Sequence, residues 1–119
     1  MFDSHVHFDA APFADLDEAA RRAREAGISG ALNPAVGTAS SRAARAIHER
    51  HPWILPCAGI HPLYLDGFEG DGEAWGGEAA AEIEALARAG AAAVGEAGLD
   101  FWHGRADEPR QREALFFQA

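Results

Sequence analysis

Asp3-Ser4-His5-Val6-His7 opens the chain with two histidines one residue apart. On an extended strand, side chains at i and i+2 project to the same face, so both imidazoles can converge on one cation. Neutral imidazole suits Zn²⁺, Mn²⁺, Fe²⁺ and similar ions. Asp3 and Asp9 share that alternation and are expected behind the histidines, orienting their ring N–H groups. The pair alone leaves a second reading open, two histidines that only hydrogen bond at a strand end. Glu96, in Gly95-Glu96-Ala97-Gly98, follows a short strand-like run, and its glycines permit close approach of backbone to a ligand. A carboxylate at the carboxyl end of a parallel strand lies on the face where such folds place their sites. Strands one and four thus deliver His5, His7 and Glu96 to one rim, which favours a metal centre over a solvated loop glutamate. His61, in Gly59-Ile60-His61-Pro62, follows a third strand. Pro62 restricts it to extended backbone and fixes its direction, and it is expected to touch substrate rather than metal.

The remaining histidines carry less. His48 and His51 sit late in a helix, where a protonated imidazole is favourable near the negative end of the dipole. His103 follows Asp100-Phe101-Trp102 in a loop and is expected at the surface. Cys57 reads as a small buried hydrophobe. No Ser/His/Asp nucleophile pattern and no glycine-rich phosphate fingerprint is legible.

The elements that must position these residues alternate between strand and helix. Met1 to His7 reads as strand, followed by a helix capped by Asp15 or Asp17 and ended by Gly27. Ile28 to Asn33 reads as a second strand. Thr38 or Ser40 is expected to cap a second helix, which Pro52 stops. Trp53 to Ala58 reads as a third strand. The glycine-rich, acidic run from Gly59 to Gly77 is expected as a solvated loop over the rim. Glu78 to Ala89 follows as a helix, then Ala91 to Gly95 as a fourth strand set off by its flanking glycines. Another helix starts near Pro109. The βαβαβαβα order predicts parallel strands with right-handed crossovers. A closed eight-stranded barrel takes roughly 250 residues, so this chain supplies about half of one. An open four-stranded sheet is the competing architecture. The run Glu113 to Ala119 stops in an apolar helical pattern without a cap, which suggests one half of a larger structure.

At 119 residues, with 48% hydrophobic and 24% charged, the chain has the size and composition of one globular domain. Ten Lys+Arg against nineteen Asp+Glu give a formal charge of -9. That argues against a broad basic surface for nucleic acid and against binding to anionic lipid. The single cysteine can form no internal disulfide and no thiolate cluster, which fits a reducing compartment. There is no basic and apolar leader at the start, and no apolar run of about 20 residues that could span a bilayer. A cytoplasmic protein is the expectation.

Four stretches in order resemble the TatD-like metal-dependent deoxyribonucleases of the amidohydrolase superfamily. They are Met1 to Asp9, Gly59-Ile60-His61-Pro62, Ala93 to Phe101 (Gly-Glu-x-Gly-Leu-Asp-aromatic) and Gln111-Arg112-Glu113-Ala114. The first is shared with many HxH hydrolases, whereas the ordered set is specific. The resemblance implies an α/β fold, the N-terminal half (about four βα units) of a TIM-like barrel, with residues 1–119 a partial metal-dependent hydrolase domain. It implies a two-metal site in the complete domain, with His5 and His7 on one ion and Glu96 bridging to a second. It does not distinguish Mg²⁺, Mn²⁺ or Zn²⁺. His61 would stand close to the scissile phosphate, and Asp100 behind the ligands. The family's remaining ligands, two histidines and an aspartate from strands five, six and eight, have no counterpart in these 119 residues.

The implied activity is phosphodiester hydrolysis at a nucleic-acid strand end, and the acidic charge fits a short contact holding few phosphates. Hydrolysis of aminoacyl-tRNA, which the family also includes, would use a similar ligand set. A non-catalytic or incomplete half-barrel is the third reading, and its open edges predict self-association.

Overall fold

Local capping sets most of the element boundaries. The computed structural model describes residues 1–10, 15–65, 77–103 and 108–119. Strand β1 (Phe2–Asp3) is followed by helix α1 (Leu16–Glu25), where Asp15 is the N-cap and accepts the Glu18 N–H at 3.0 Å. Gly27, at φ +86°, ends that helix in the left-handed conformation that the sequence assigns to it. Strand β2 (Gly30–Asn33) leads to helix α2 (Thr38–Arg50). Its N-cap is Gly37 rather than Thr38 or Ser40. Ser40 reaches back instead, its Oγ accepting the N–H groups of Val36 and Gly37 at 2.7 and 3.0 Å. Strand β3 (Ile54–Ala58), helix α3 (Gly77–Arg88), strand β4 (Ala93–Val94) and helix α4 (Glu108–Gln118) complete the order, with Pro109 in the first turn of α4. Most of the acidic run expected as a loop over the rim, residues 66–76 with Asp71 and Glu73, lies outside the described residues.

The first strand is shorter than its alternating sequence predicts. Asp3 accepts the backbone N–H of His5 at 3.0 Å, and this local turn draws the chain out of the ladder after two residues. Val6 returns to the sheet through one bond, its N–H to Leu32 O at 3.1 Å. His5 and His7 therefore lie just past the strand.

All strand pairs are parallel, in the spatial order β1-β2-β3-β4, with Phe2 opposite Gly30, Leu32 opposite Leu55, and Cys57 opposite Ala93. The order never reverses, unlike that of a doubly wound sheet. With right-handed crossovers, an unreversed order puts every helix on one side and curls the sheet toward a barrel. One core cluster joins Phe8, Ala20, Ala31, Ile47 and Ile54, closing α1 and α2 over β2 and β3. A second joins Ile60, Leu65, Ala80, Ile83 and Ala114, closing α3 and α4 over the far end. Arg42 on α2 pairs with Glu82 on α3 across the helical layer.

Candidate metal centre

The turn bearing Glu96 is held entirely by backbone. The Gly95 N–H donates to Ala58 O, the Ala35 N–H donates to Gly95 O, both at 3.0 Å, and the Glu96 N–H donates to Ala35 O. The ends of β2, β3 and β4 are thereby tied together at one point. Gly59 permits this, since a Cβ there would fall 2.5 Å from the carbonyl carbon of Gly95. Ser41, which is buried, adds its Oγ as acceptor for the Gly59 N–H at 3.3 Å. On the opposite side, Asn33 Oδ1 accepts the Phe8 N–H at 2.7 Å and fixes the chain next to His7.

These constraints bring His5, His7 and Glu96 together from 89 residues apart in sequence. His5 Nε2 and His7 Nε2 stand 2.9 and 3.0 Å from Glu96 Oε1, and 3.1 Å from each other. Two imidazole nitrogens and a carboxylate oxygen all direct lone pairs at one point unless a proton or cation lies between them. Neighbouring ligands of an ion with bonds of about 2.1 Å stand roughly 3.0–3.4 Å apart. The spacing and the nitrogen–oxygen donor set fit a divalent transition ion. His5 and Glu96, with His61, Asp100 and the β4 turn, line a cleft of about 510 Å³ at the carboxyl ends of the strands.

His61 faces the other oxygen of the same carboxylate, its Nε2 3.3 Å from Glu96 Oε2. Its backbone N–H donates to Val36 O at 3.1 Å, and the Tyr64 ring meets the imidazole edge-on, with centroids 5.5 Å apart. The Leu63 N–H donates to His61 Nδ1 at 3.1 Å. An accepting Nδ1 carries no proton, so neutral His61 has its proton on Nε2 and presents a donor to the cleft.

Of the three aspartates, Asp3 and Asp100 take other partners. Asp3 binds the His5 backbone rather than its ring, and Asp9 is exposed. Asp100 Oδ1 accepts the N–H groups of Trp102 and His103 at 2.9 and 3.2 Å, while Oδ2 meets His103 Nδ1 at 2.8 Å. The hydrogen bond from His103 is the largest influence holding the Asp100 carboxyl below its ordinary value. His48 and His51 stay outside the cleft, His48 Nδ1 on Ile54 O and His51 Nε2 on Asp17 Oδ1, each at 2.8 Å. Cys57 is buried, and burial pushes its thiol pKa up.

Two residues on α4 have a positioning role that the sequence did not reveal. Gln111 is fully buried and clamps Asp100 at both ends, accepting its N–H at 2.7 Å and donating to its O at 3.0 Å. Gln118, two turns further along α4, does the same to Ile60, at 2.7 and 3.1 Å. Helix α4 thus holds the segments that carry His61 and Asp100. The signal was a pair of amides at a helical spacing of seven in an otherwise apolar and charged helix.

Parallel strands in sequential order, helices on one side, and polar side chains gathered at the strands' carboxyl ends define a half-barrel of the TIM-like class. The chain belongs to the TatD related DNase family, whose model matches residues 2–119. It is 36% identical over 118 residues to the 3'-5' ssDNA/RNA exonuclease TatD of Erwinia tasmaniensis, covering 97% of this chain and 43% of that one. With the enzyme of the same name from Klebsiella pneumoniae it shares 34% over 118 residues, covering 98% and 42%. The crystal structure of YJJV, a TatD homolog from Escherichia coli K12, superposes with a TM-score of 0.77 at 31% identity, over 99% of this chain and 44% of that one. The chain therefore spans less than half the length of the curated relatives it matches, and its four βα units match the N-terminal half of such a barrel.

Proposed function

We propose that residues 1–119 form the N-terminal part of a divalent-metal-dependent phosphodiesterase domain that acts at single-stranded nucleic-acid ends. The observation that carries this reading is the convergence of His5 Nε2, His7 Nε2 and Glu96 Oε1 within 2.9–3.1 Å, at the rim where such folds work. The names of the exonuclease relatives supply the substrate class. In this reading His5, His7 and Glu96 would hold a divalent cation. Bound divalent ions neutralise charge on phosphoryl oxygens and make water more acidic. His61 donates its Nε2–H to a phosphate oxygen, steadying the negative charge that builds as water adds to phosphorus and the P–O bond to the leaving hydroxyl breaks. The water loses one proton and the leaving oxygen gains one. Carbonyl and glycine backbone around Gly95 keeps the Glu96 carboxylate in place throughout.

The same reading places the protein in a reducing, cytoplasmic setting, supported by its lone buried cysteine. No helix among the described residues is long and apolar enough to cross a membrane. It also includes self-association through an open, largely apolar groove of about 1000 Å³ between Leu99 and the α4 residues Leu115, Phe116 and Phe117.

Calorimetric titration with Mn²⁺ and Zn²⁺, paired with a 5′-labelled single-stranded oligonucleotide, tests the proposal. We expect metal binding that is lost in the triple variant His5→Ala, His7→Ala, Glu96→Ala, and strand shortening that EDTA abolishes. Equal metal binding by wild type and triple variant overturns the metal centre. Hydrolysis of a D-aminoacyl-tRNA without strand shortening assigns a deacylase instead. Metal binding with neither activity makes this chain a non-catalytic half-barrel.

A further inference from the structure

Trp102 is 89% exposed and Phe101 is 55% exposed, in a chain with a net charge of -9. The mount of this indole is rigid. Asp100 accepts the Trp102 and His103 N–H groups and pairs with the His103 ring, closing a tight local turn. Gln111, fully buried in α4, grips both backbone groups of Asp100. The turn is therefore anchored at its base while its aromatic tip stands free. Its position is set as well, because Asp100 lines the cleft that holds His5, His61 and Glu96. Two residues of extended chain span at most about 7 Å, so the Trp102 backbone stands within that distance of the cleft wall.

We propose that Trp102 is a stacking platform for a base of single-stranded nucleic acid whose backbone enters the cleft. This deepens the phosphodiesterase reading and rests on it. Two observations favour a nucleobase as the occupant. The platform stands two residues from the cleft lining at Asp100, and a net charge of -9 disfavours tracking a phosphate backbone by charge alone. Stacking is the remaining sequence-tolerant source of affinity, since every base has a π-face. A rigid turn also lowers the cost of ordering the aromatic ring on binding.

Fluorescence anisotropy with labelled oligo(dT), and with an abasic strand of equal length, tests the platform in the metal-loaded chain. We expect Trp102→Ala to weaken oligo(dT) binding by about 5- to 100-fold, the range of one lost base–aromatic stack. Trp102→Phe should recover most of it, the abasic strand should not distinguish the variants, and Phe116→Ala, which removes an exposed aromatic on α4, should bind as wild type. Wild-type binding that Trp102→Ala leaves unchanged, or an equal loss for the abasic strand, overturns the platform alone. Failure of the wild-type chain to bind oligo(dT) overturns the nucleic-acid reading and the platform with it. Sedimentation adds one further arm: a wild-type dimer that Trp102→Ala converts to monomer assigns this surface to a second copy of the chain and overturns the proposal.

Discussion

Gly59 and Gly95 meet backbone to backbone where β3 and β4 end, with a Cβ on Gly59 falling 2.5 Å from the Gly95 carbonyl carbon. That contact sets where Glu96 stands, because Gly95 immediately precedes it and is bonded on both sides, to Ala58 and to Ala35. The obstacle is backbone, which cannot rotate aside as a side chain would. Gly59→Ala should destabilise the fold by about 1–3 kcal/mol, the usual cost of overpacking a close-packed site. It should also weaken metal binding by displacing the carboxylate. Urea denaturation and metal titration of the same variant check both effects, and a variant with wild-type stability would show that the contact has slack.

His61 and the pair His5/His7 should separate cleanly in their effects. With the Leu63 N–H on its Nδ1, His61 presents a proton to the cleft rather than a lone pair. His61→Ala should therefore leave Mn²⁺ affinity within about threefold of wild type, whereas His5→Ala or His7→Ala should reduce it on the order of 100-fold. Binding of oligonucleotide to the metal-loaded chain should fall in all three. A large loss of Mn²⁺ affinity in His61→Ala would instead make it a ligand.

Gln111→Ala should cost about 1–3 kcal/mol, because it leaves the N–H and carbonyl of Asp100 without their buried partner. The effect should concentrate in one place. Hydrogen exchange at the Trp102 and His103 amides should accelerate, while amides of α1 and β2 keep their wild-type protection. Uniform acceleration across the chain would mean that Gln111 supports the whole core rather than the turn.

Asp17 on α1 gives a pH signature. A hydrogen bond from His51 at the end of α2 is the largest influence lowering its pKa from 3.8, desolvation opposes it, and Arg50 adds to the lowering. A carboxylate depressed in the folded state stabilises the fold above its unfolded pKa and loses that contribution as pH falls through the folded value. Asp17→Asn should therefore have a lower urea midpoint than wild type at pH 6. The two midpoints should draw together as pH is lowered through and below 3.8. The pair is exposed, so the gap at pH 6 should be small and should shrink further in salt. A gap that does not shrink as the pH falls would trace to something other than the charge.

Much of the fold was legible in local chemistry. Asp15 and Gly27 marked the ends of α1, Pro109 the start of α4, and Gly90 and Gly95 set off a β4 whose alanines read as helix. Each signal acts through the backbone within a few residues, which is why it can be read in order along the chain. Where a side chain had a choice of local partners, the reading slipped: Asp3 ended β1 early by taking the His5 N–H, and Ser40 reached back past the cap position it was expected to fill.

The site divides in the same way. The sequence by itself determined which residues could bind a cation, since His5, His7 and Glu96 carry their chemistry in their side chains and their strand-end positions in the βα pattern. Only the tertiary structure decided that Glu96 Oε1 meets both imidazoles while Oε2 faces His61, that His61 turns a donor to the cleft, and that Gln111 and Gln118 brace the rim. The meeting of Glu96 with the imidazoles and the hold of Gln118 on Ile60 depend on contacts between segments tens of residues apart. Local propensity carries no record of such contacts, because the pairing of β3 with β4 and the hold of α4 on Ile60 and Asp100 exist only once the chain has folded.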